Sequence, residues 1–332
     1  MPERIPTVKE VMVKRAKSGR TAEQGWNDGW RLVYLPESGS TRGARVAGAM
    51  TALQALGLLR VADAQYALSS AFCASVYGAS GKGPEGTSIY YRHLNDGRFL
   101  NLARALRGDP VFDTNFLVYE VMGKRVPFDP VRVINSPTQL NVFMTDATKP
   151  EVLRVSAFSD KADIQSAMHR TTGMPILSKS PIPHNGGYEA DGGVLLGGIP
   201  IQPALEDGFT HALVIRSVDE ARLSPAYLVV EKLIHMMIKR ALRNRGFTNL
   251  ADNFDRMPKQ QRVNLKLVRE LSDPLLVPQV YELKIPRHGR NVSFFETRAP
   301  VLRRIASEGY ETVIGEFAEY SLKKDESITI IY

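Results

Sequence analysis

The stretch Leu32-Val33-Tyr34-Leu35-Pro36-Glu37-Ser38-Gly39-Ser40-Thr41-Arg42-Gly43 decides the fold. Four apolar residues in a row, bounded by a turn signal, read as a strand, Arg31–Leu35. Pro36 cannot donate to a ladder and ends it. A loop of small residues follows. From Arg42 the apolar residues Val46, Ala49, Met50, Leu53 and Leu56 recur at helical spacing, and Gly57 marks the helix end. The order then repeats: Ala64–Leu68 reads as a short strand, Ser69-Ser70 as a serine-rich turn, and residues 72–79 as a buried helix. Strand, turn and helix, twice over, is the pattern of a parallel sheet with crossover helices.

Working outward, residues 1–29 read as an N-terminal extension with a basic helix from Val8 to Lys17. Gly81 to Gly86 reads as a loop, and residues 88–136 as helices broken at Pro110, Pro127 and Pro130. Leu140–Thr145 and Glu151–Phe158 are expected as strands joined around Thr148-Lys149-Pro150. Asp160 is placed to cap a helix running to Arg170. Tyr188 to Gly198 reads as glycine-rich and irregular, Thr210–Arg216 as a strand, and 225–245 as a long helix followed by more helix to about 272. Val277–Lys284 reads as a strand, Ala299–Gly315 as a helix, and Ser327–Tyr332 as a short β-prone end. The expected fold is therefore α/β, with one domain over 30–332 and a helical C-terminal portion from about residue 224.

The composition sets limits on function. The 332 residues are 43% hydrophobic and 23% charged, ordinary for a globular chain with a substantial core. No apolar run reaches the length of a membrane span. Met1 to Arg20 holds six basic residues and no apolar segment, so a secretory signal is not expected. The single cysteine, Cys73, excludes an internal disulfide and a cysteine-based zinc shell, and fits a reducing, cytoplasmic setting. The net charge of +8 favours anionic partners, phospholipid head groups among them. No zinc-finger spacing, aromatic RNA signature or sustained basic arm accompanies it, so nucleic acid is not an expected partner.

The chemistry lies in the two turns and in a later tripeptide, Asp191-Gly192-Gly193. A serine hydroxyl is a poor nucleophile until a base takes its proton. A tight strand-to-helix turn projects the oxygen outward and aims a helix N-terminus at the developing charge. Ser69 meets that description, with Ala67 and Ala71 as its small neighbours. The simpler reading of Ser69 and Ser70 is an N-cap pair, and of Asp191 a turn residue before two glycines.

The loop Glu37–Gly43, the elbow Ala67-Leu68-Ser69-Ser70-Ala71 and Asp191-Gly192-Gly193 stand in the order of three motifs of the patatin-like phospholipase family. These are D/E-G-G-G-x-R-G, G-x-S-x-G and D-G-G/A. The sequence also resembles bacterial members of that family at Val8–Gly19, Thr87–Tyr91, Arg98–Asn101, Val142–Asp146 and Ala306–Val313, over roughly residues 5–315. The resemblance implies a patatin-like three-layer α/β/α core with a mostly parallel sheet, and a serine–aspartate dyad that needs no cofactor and no metal. Ser69 would attack an ester carbonyl and Asp191 would act as base. Backbone amides of Ser38, Gly39, Ser40 and Ser70 would hold the oxyanion, and Arg42 would orient the loop or meet an anionic group. The implied substrate is a lipid or other acyl ester. Serines replace loop glycines at 38 and 40, and alanines replace elbow glycines at 67 and 71. A side chain at a position with φ > 0 costs roughly 1–2 kcal/mol. These departures keep two rivals in view: an acyltransferase or thioesterase-like enzyme of a biosynthetic pathway, and a non-catalytic protein that binds lipid or a partner through the same cleft.

The remaining signals read as structure. His93, His169, His184, His211, His235 and His288 form no ligand spacing. Cys73 reads as a buried small residue. Gly186-Gly187 and Gly197-Gly198 lack the lysine of a phosphate loop. Lys232, Lys239, Arg240, Arg243 and Arg245 share a helix with Leu233, Ile234, Met237, Ile238 and Leu242. Core packing is its simpler role, and peripheral contact with a membrane surface is the second. Oligomeric state is not legible.

Overall fold

A computed structural model describes residues 4–218, 225–284, 286 and 291–331. The apolar run is β1 (Leu32–Pro36), buried along its whole length. Its side chains divide between two cores: Leu32 and Tyr34 enter one, Val33 and Leu35 the other. Such two-sided burial is why the run is apolar throughout rather than alternating. β7 (His211–Ile215) divides in the same way, with Leu213 and Ile215 on one side and Ala212 and Val214 on the other.

The sheet has the order β5-β6-β3-β2-β1-β7-β8, with β4 on β3. β2 (Ala64–Ala67), β3 (Gln139–Asp146), β7 and β8 (Gln279–Leu283) continue the parallel ladder of β1. β4 (Val152–Val155), β5 (Ile182–His184) and β6 (Gly187–Asp191) join by antiparallel pairs.

Helices cover both faces. Against the larger core lie α1 (Val8–Ser18), α2 (Gly43–Ala55), α3 (Ser69–Ala79), α4 (Gly83–Arg92), α5 (Pro130–Ile134), α6 (Lys161–Thr171) and α11 (Ala299–Glu316). On the other side are α7 (Gly193–Leu196), α8 (Ile201–Glu206) and α10 (Thr248–Glu270), with α9 (Pro225–Asn244) packed on α10. This is a three-layer α/β/α architecture, and its parallel strands with crossover helices are those the sequence pattern predicts.

Two features fix the frame around the site. α2 and α11 almost touch: a Cβ on Gly48 would lie 1.9 Å from the Ala306 carbonyl oxygen, and one on Gly309 would lie 2.1 Å from that of Arg45. Only glycine permits that approach, which offsets its poor helix propensity. Within the 1–29 extension, α1 buries Val8, Val11 and Met12 in the larger core. Its Arg15 is 1% exposed and bonds Asp28, Asp63 and the carbonyls of Val61 and Trp30. The extension is thus packed into the same core as the sheet.

Several local expectations need correction. Residues 83–86, expected as loop, are the first turn of α4, because Pro84 opens the helix and Gly86 packs face to face with Tyr77, whose Cγ a Cβ would meet at 2.3 Å. Tyr188–Gly198 is ordered as the end of β6 and α7, since its glycines serve close packing rather than a loose turn. Between Phe116 and Arg125 the chain forms a wide π-type helix. Residues 327–331 form no strand: the Tyr310 and Tyr91 hydroxyls donate to the Ile328 and Ile331 carbonyls, which a ladder would otherwise use. Tyr332 and His288 lie outside the described residues.

Candidate active site

The register of β3 brings Ser69 and Asp191 together. β2 ends with Ala67 opposite Val142, and β6 ends with Asp191 opposite Met144, two places further along. β4 occupies the other edge of β3 over Val142–Thr145, so β2 and β6 share one edge and meet end to end. Were β2 to continue straight, Ser69 would fall where Asp191 lies. The chain turns instead: Ser69 has φ +50° and α3 begins there. A non-glycine residue in the left-handed region costs on the order of 1 kcal/mol and persists where surrounding contacts hold it. Here the Ser69 N–H donates to Thr171 Oγ1 at 2.8 Å, and the Thr171 hydroxyl donates to the Phe143 carbonyl at 2.8 Å. Sequence reasoning missed Thr171, which carries no motif and reaches the turn only because α6 packs across β3.

Asp191 is 5% exposed. The Gly193 N–H donates to its Oδ1 at 2.8 Å, and the Ser69 side chain lies within reach of the same carboxyl. Burial pushes its pKa up to about 6, against the opposing pull of the Ser69 side chain and the Gly193 N–H. Both glycines of the motif have a steric reason. A Cβ on Gly192 would lie 2.4 Å from the Phe143 carbonyl oxygen, and one on Gly193 would crowd Asp191 Oδ1 at 3.0 Å.

The loop 37–43 stands across from the turn. Glu37 is buried, and its Oε2 accepts from Ser217 N–H and hydroxyl, Val218 N–H and Arg216 Nε. This anchors the loop to the end of β7. Gly39 is extended (φ −179°), whereas Ser40 takes φ +51°, so the loop's left-handed position falls on a serine. The donors are not arranged as the motif implies. The Ser38 N–H donates to the Gly198 carbonyl at 3.1 Å, and the Gly39 N–H to the Ser70 hydroxyl at 3.1 Å. The Tyr90 hydroxyl comes close to the Ser70 side chain, and a Cβ on Gly43 would meet both. In α3 the Ala71 and Phe72 N–H groups bond the Leu68 carbonyl, which leaves the Ser70 N–H as the first-turn donor available to a ligand. Arg42 is buried; its Nε donates to the Val292 carbonyl at 3.0 Å and its guanidinium lies over Phe294. It ties the loop to the 292–294 segment.

Ser38, Gly39, Ser40, Arg42, Ser69, Ser70 and Asp191 all line one cavity of about 400 Å³. Beyond them its walls are mainly apolar. One side runs past Ile89, Leu94, Phe99 and Leu117, and another past Val194, Ile238 and Phe254. Cys73 also lines it, but burial pushes its thiol up to about 12, so it is no thiolate at neutral pH. His235 is on the wall with its ring 4.6 Å from that of Phe254, and burial holds its pKa below the usual imidazole value. His184 sits at the tip of the β5–β6 hairpin, away from the cavity lining.

No protein-family model matches the chain, and no curated protein matches its sequence. Among solved structures, VipD from Legionella pneumophila aligns over 88% of this chain and 67% of its own, with 12% identity and a TM-score of 0.40. At that level of likeness neither protein's activity follows from the other's.

Proposed function

We propose that the chain is a serine acyl hydrolase that cleaves lipid or other acyl esters through an acyl-enzyme. One observation carries this reading: the Ser69 side chain, held on a left-handed turn at a helix N-terminus, faces a buried Asp191 closely enough to draw down its pKa, in the wall of a largely apolar cavity. The patatin-like motif order supports the same assignment.

In this mechanism the Ser69 proton passes to the Asp191 carboxylate as Oγ attacks the ester carbonyl carbon. A base titrating near pH 6 is ionised at neutral pH and still basic enough to accept that proton. The tetrahedral oxyanion takes the Ser70 N–H and, once it displaces the Ser70 hydroxyl, the Gly39 N–H. The protonated Asp191 returns the proton to the departing alcohol. Water, deprotonated by Asp191, then releases the acid from Ser69. The apolar walls accept the acyl chain, whose removal from water supplies binding energy.

Intact-mass analysis after treatment with a long-chain fluorophosphonate tests the reading. One adduct is expected, at Ser69, lost in Ser69→Ala and strongly slowed in Asp191→Asn. Unlabelled, folded wild-type protein with no ester turnover would refute it and favour a binding protein. Product analysis with an added alcohol or thiol acceptor separates hydrolysis from acyl transfer.

A further inference from the structure

We propose that the outer face of α9, with the rim of a second groove beside the cavity, is a docking surface for an anionic lipid bilayer. One face of α9 is anchored: Ile238 and Leu242 are buried in a core with Leu250 and Phe254. The opposite face presents Leu233, Met236 and Met237, which are 51%, 60% and 67% exposed. Three large apolar side chains on one exposed helical stripe are a patch that water alone does not explain.

The charges sort by face as well. Lys239 and Arg243 pair with Asp255 and Asp252 of α10. Lys232 and Arg240 bracket the exposed apolar stripe and are themselves exposed, with no acidic partner among the described residues. Apolar tips flanked by unpaired bases are the signature of a helix that lies in a bilayer interface. Bases pointing at solvent suit an anionic surface, and the net charge of +8 has the same sign.

Beside this face lies a groove of about 1050 Å³. The exposed Met237 of α9, Leu102 and Tyr188 line it, together with Lys179, Arg245 and a single acid among its described lining residues, Asp109. The groove and the Ser69 cavity share Leu177, Ile234, Ile238 and Phe295 as lining residues. A wall one side chain thick therefore separates a lipid surface seated here from the cavity. The surface deepens the acyl-ester reading, by bringing the cavity to lipid substrate, and rests on that reading only for its purpose.

Flotation of Ser69→Ala protein with vesicles separates docking from chemistry, since this variant binds whether or not the serine is a nucleophile. Vesicles of phosphatidylcholine with about 30% phosphatidylglycerol are expected to carry the protein, and phosphatidylcholine alone is not. Raised salt should weaken the binding. Each base removed should lower vesicle affinity roughly fivefold. Lys232→Glu/Arg240→Glu should thus lose well over tenfold, and Leu233→Glu/Met236→Glu comparably. Both pairs, made in the wild-type background, should turn over a soluble short-chain ester at the wild-type rate. Equal binding to both vesicle types, or wild-type affinity in both double variants, overturns the proposal. Absence of binding to either vesicle does so too, and leaves the stripe to a protein partner.

Discussion

Asp191→Asn is expected to make the protein more stable and less active, with both effects tied to the same protonation. The wild-type carboxyl titrates at about 6 in the fold, against 3.8 for an ordinary aspartate, because burial penalises its charged form. That difference corresponds to about 3 kcal/mol. The sign follows from proton counts. Between pH 4 and 6 the folded chain binds more protons at this site than the unfolded chain, so stability falls as pH rises through that window and then levels. Asparagine keeps an oxygen to accept the Gly193 N–H and removes the charge. Urea unfolding of both proteins from pH 4 to 8 isolates the effect, since other titrating groups cancel in the difference. The variant's advantage should grow by about 3 kcal/mol between pH 4 and 7 and then remain constant. Over the same window wild-type kcat/KM for a neutral activated ester should rise about tenfold per pH unit below 6 and plateau above. A stability difference that does not vary with pH, or an activity profile flat from pH 5 to 8, would show that Asp191 is not a buried, raised-pKa base.

Two further substitutions probe the supports of the site. Thr171→Val removes the acceptor of the Ser69 N–H and the donor to the Phe143 carbonyl; leaving those buried groups unpaired should cost about 1–3 kcal/mol each at most in thermal or urea unfolding, and fluorophosphonate labelling of the remaining folded protein should slow as the turn loosens. Glu37→Gln removes one of the two carboxylates that face Arg216 among the described residues and leaves Glu282; unfolding in urea should show a loss of about 3 kcal/mol, as for a broken buried ion pair, and kcat should fall more than KM rises because the loop lining the cavity is released.

Local pattern and spacing made the scaffold legible. The Leu32–Leu35 run, the period of Val46 to Leu56 and the small-residue turn at Ser69 specify strand, helix and elbow from neighbouring residues, and Asp160 caps its helix as its type demands. The same pattern reading failed where glycine acts at a distance. Gly83 and Gly86 read as a loop, but they let α4 approach Thr51 and Tyr77, and neighbours remote in sequence are invisible to a local window. The serines at the loop's glycine positions could be seen, but which one bears the left-handed strain could not; backbone angles place it on Ser40 and leave Ser38 paired to Gly198.

The sequence by itself determined which side chains the proposed chemistry rests on and the order in which the chain delivers them: a loop, a serine, then an aspartate. The tertiary structure alone decided that two strands end head to head along one edge of β3, that Thr171 reaches across to hold the turn, and that Asp191 is buried deeply enough to titrate near neutrality. The physical reason is range. Hydrogen-bond propensity and apolar period act over a few residues, whereas register and burial depend on contacts between segments that only the folded chain brings together.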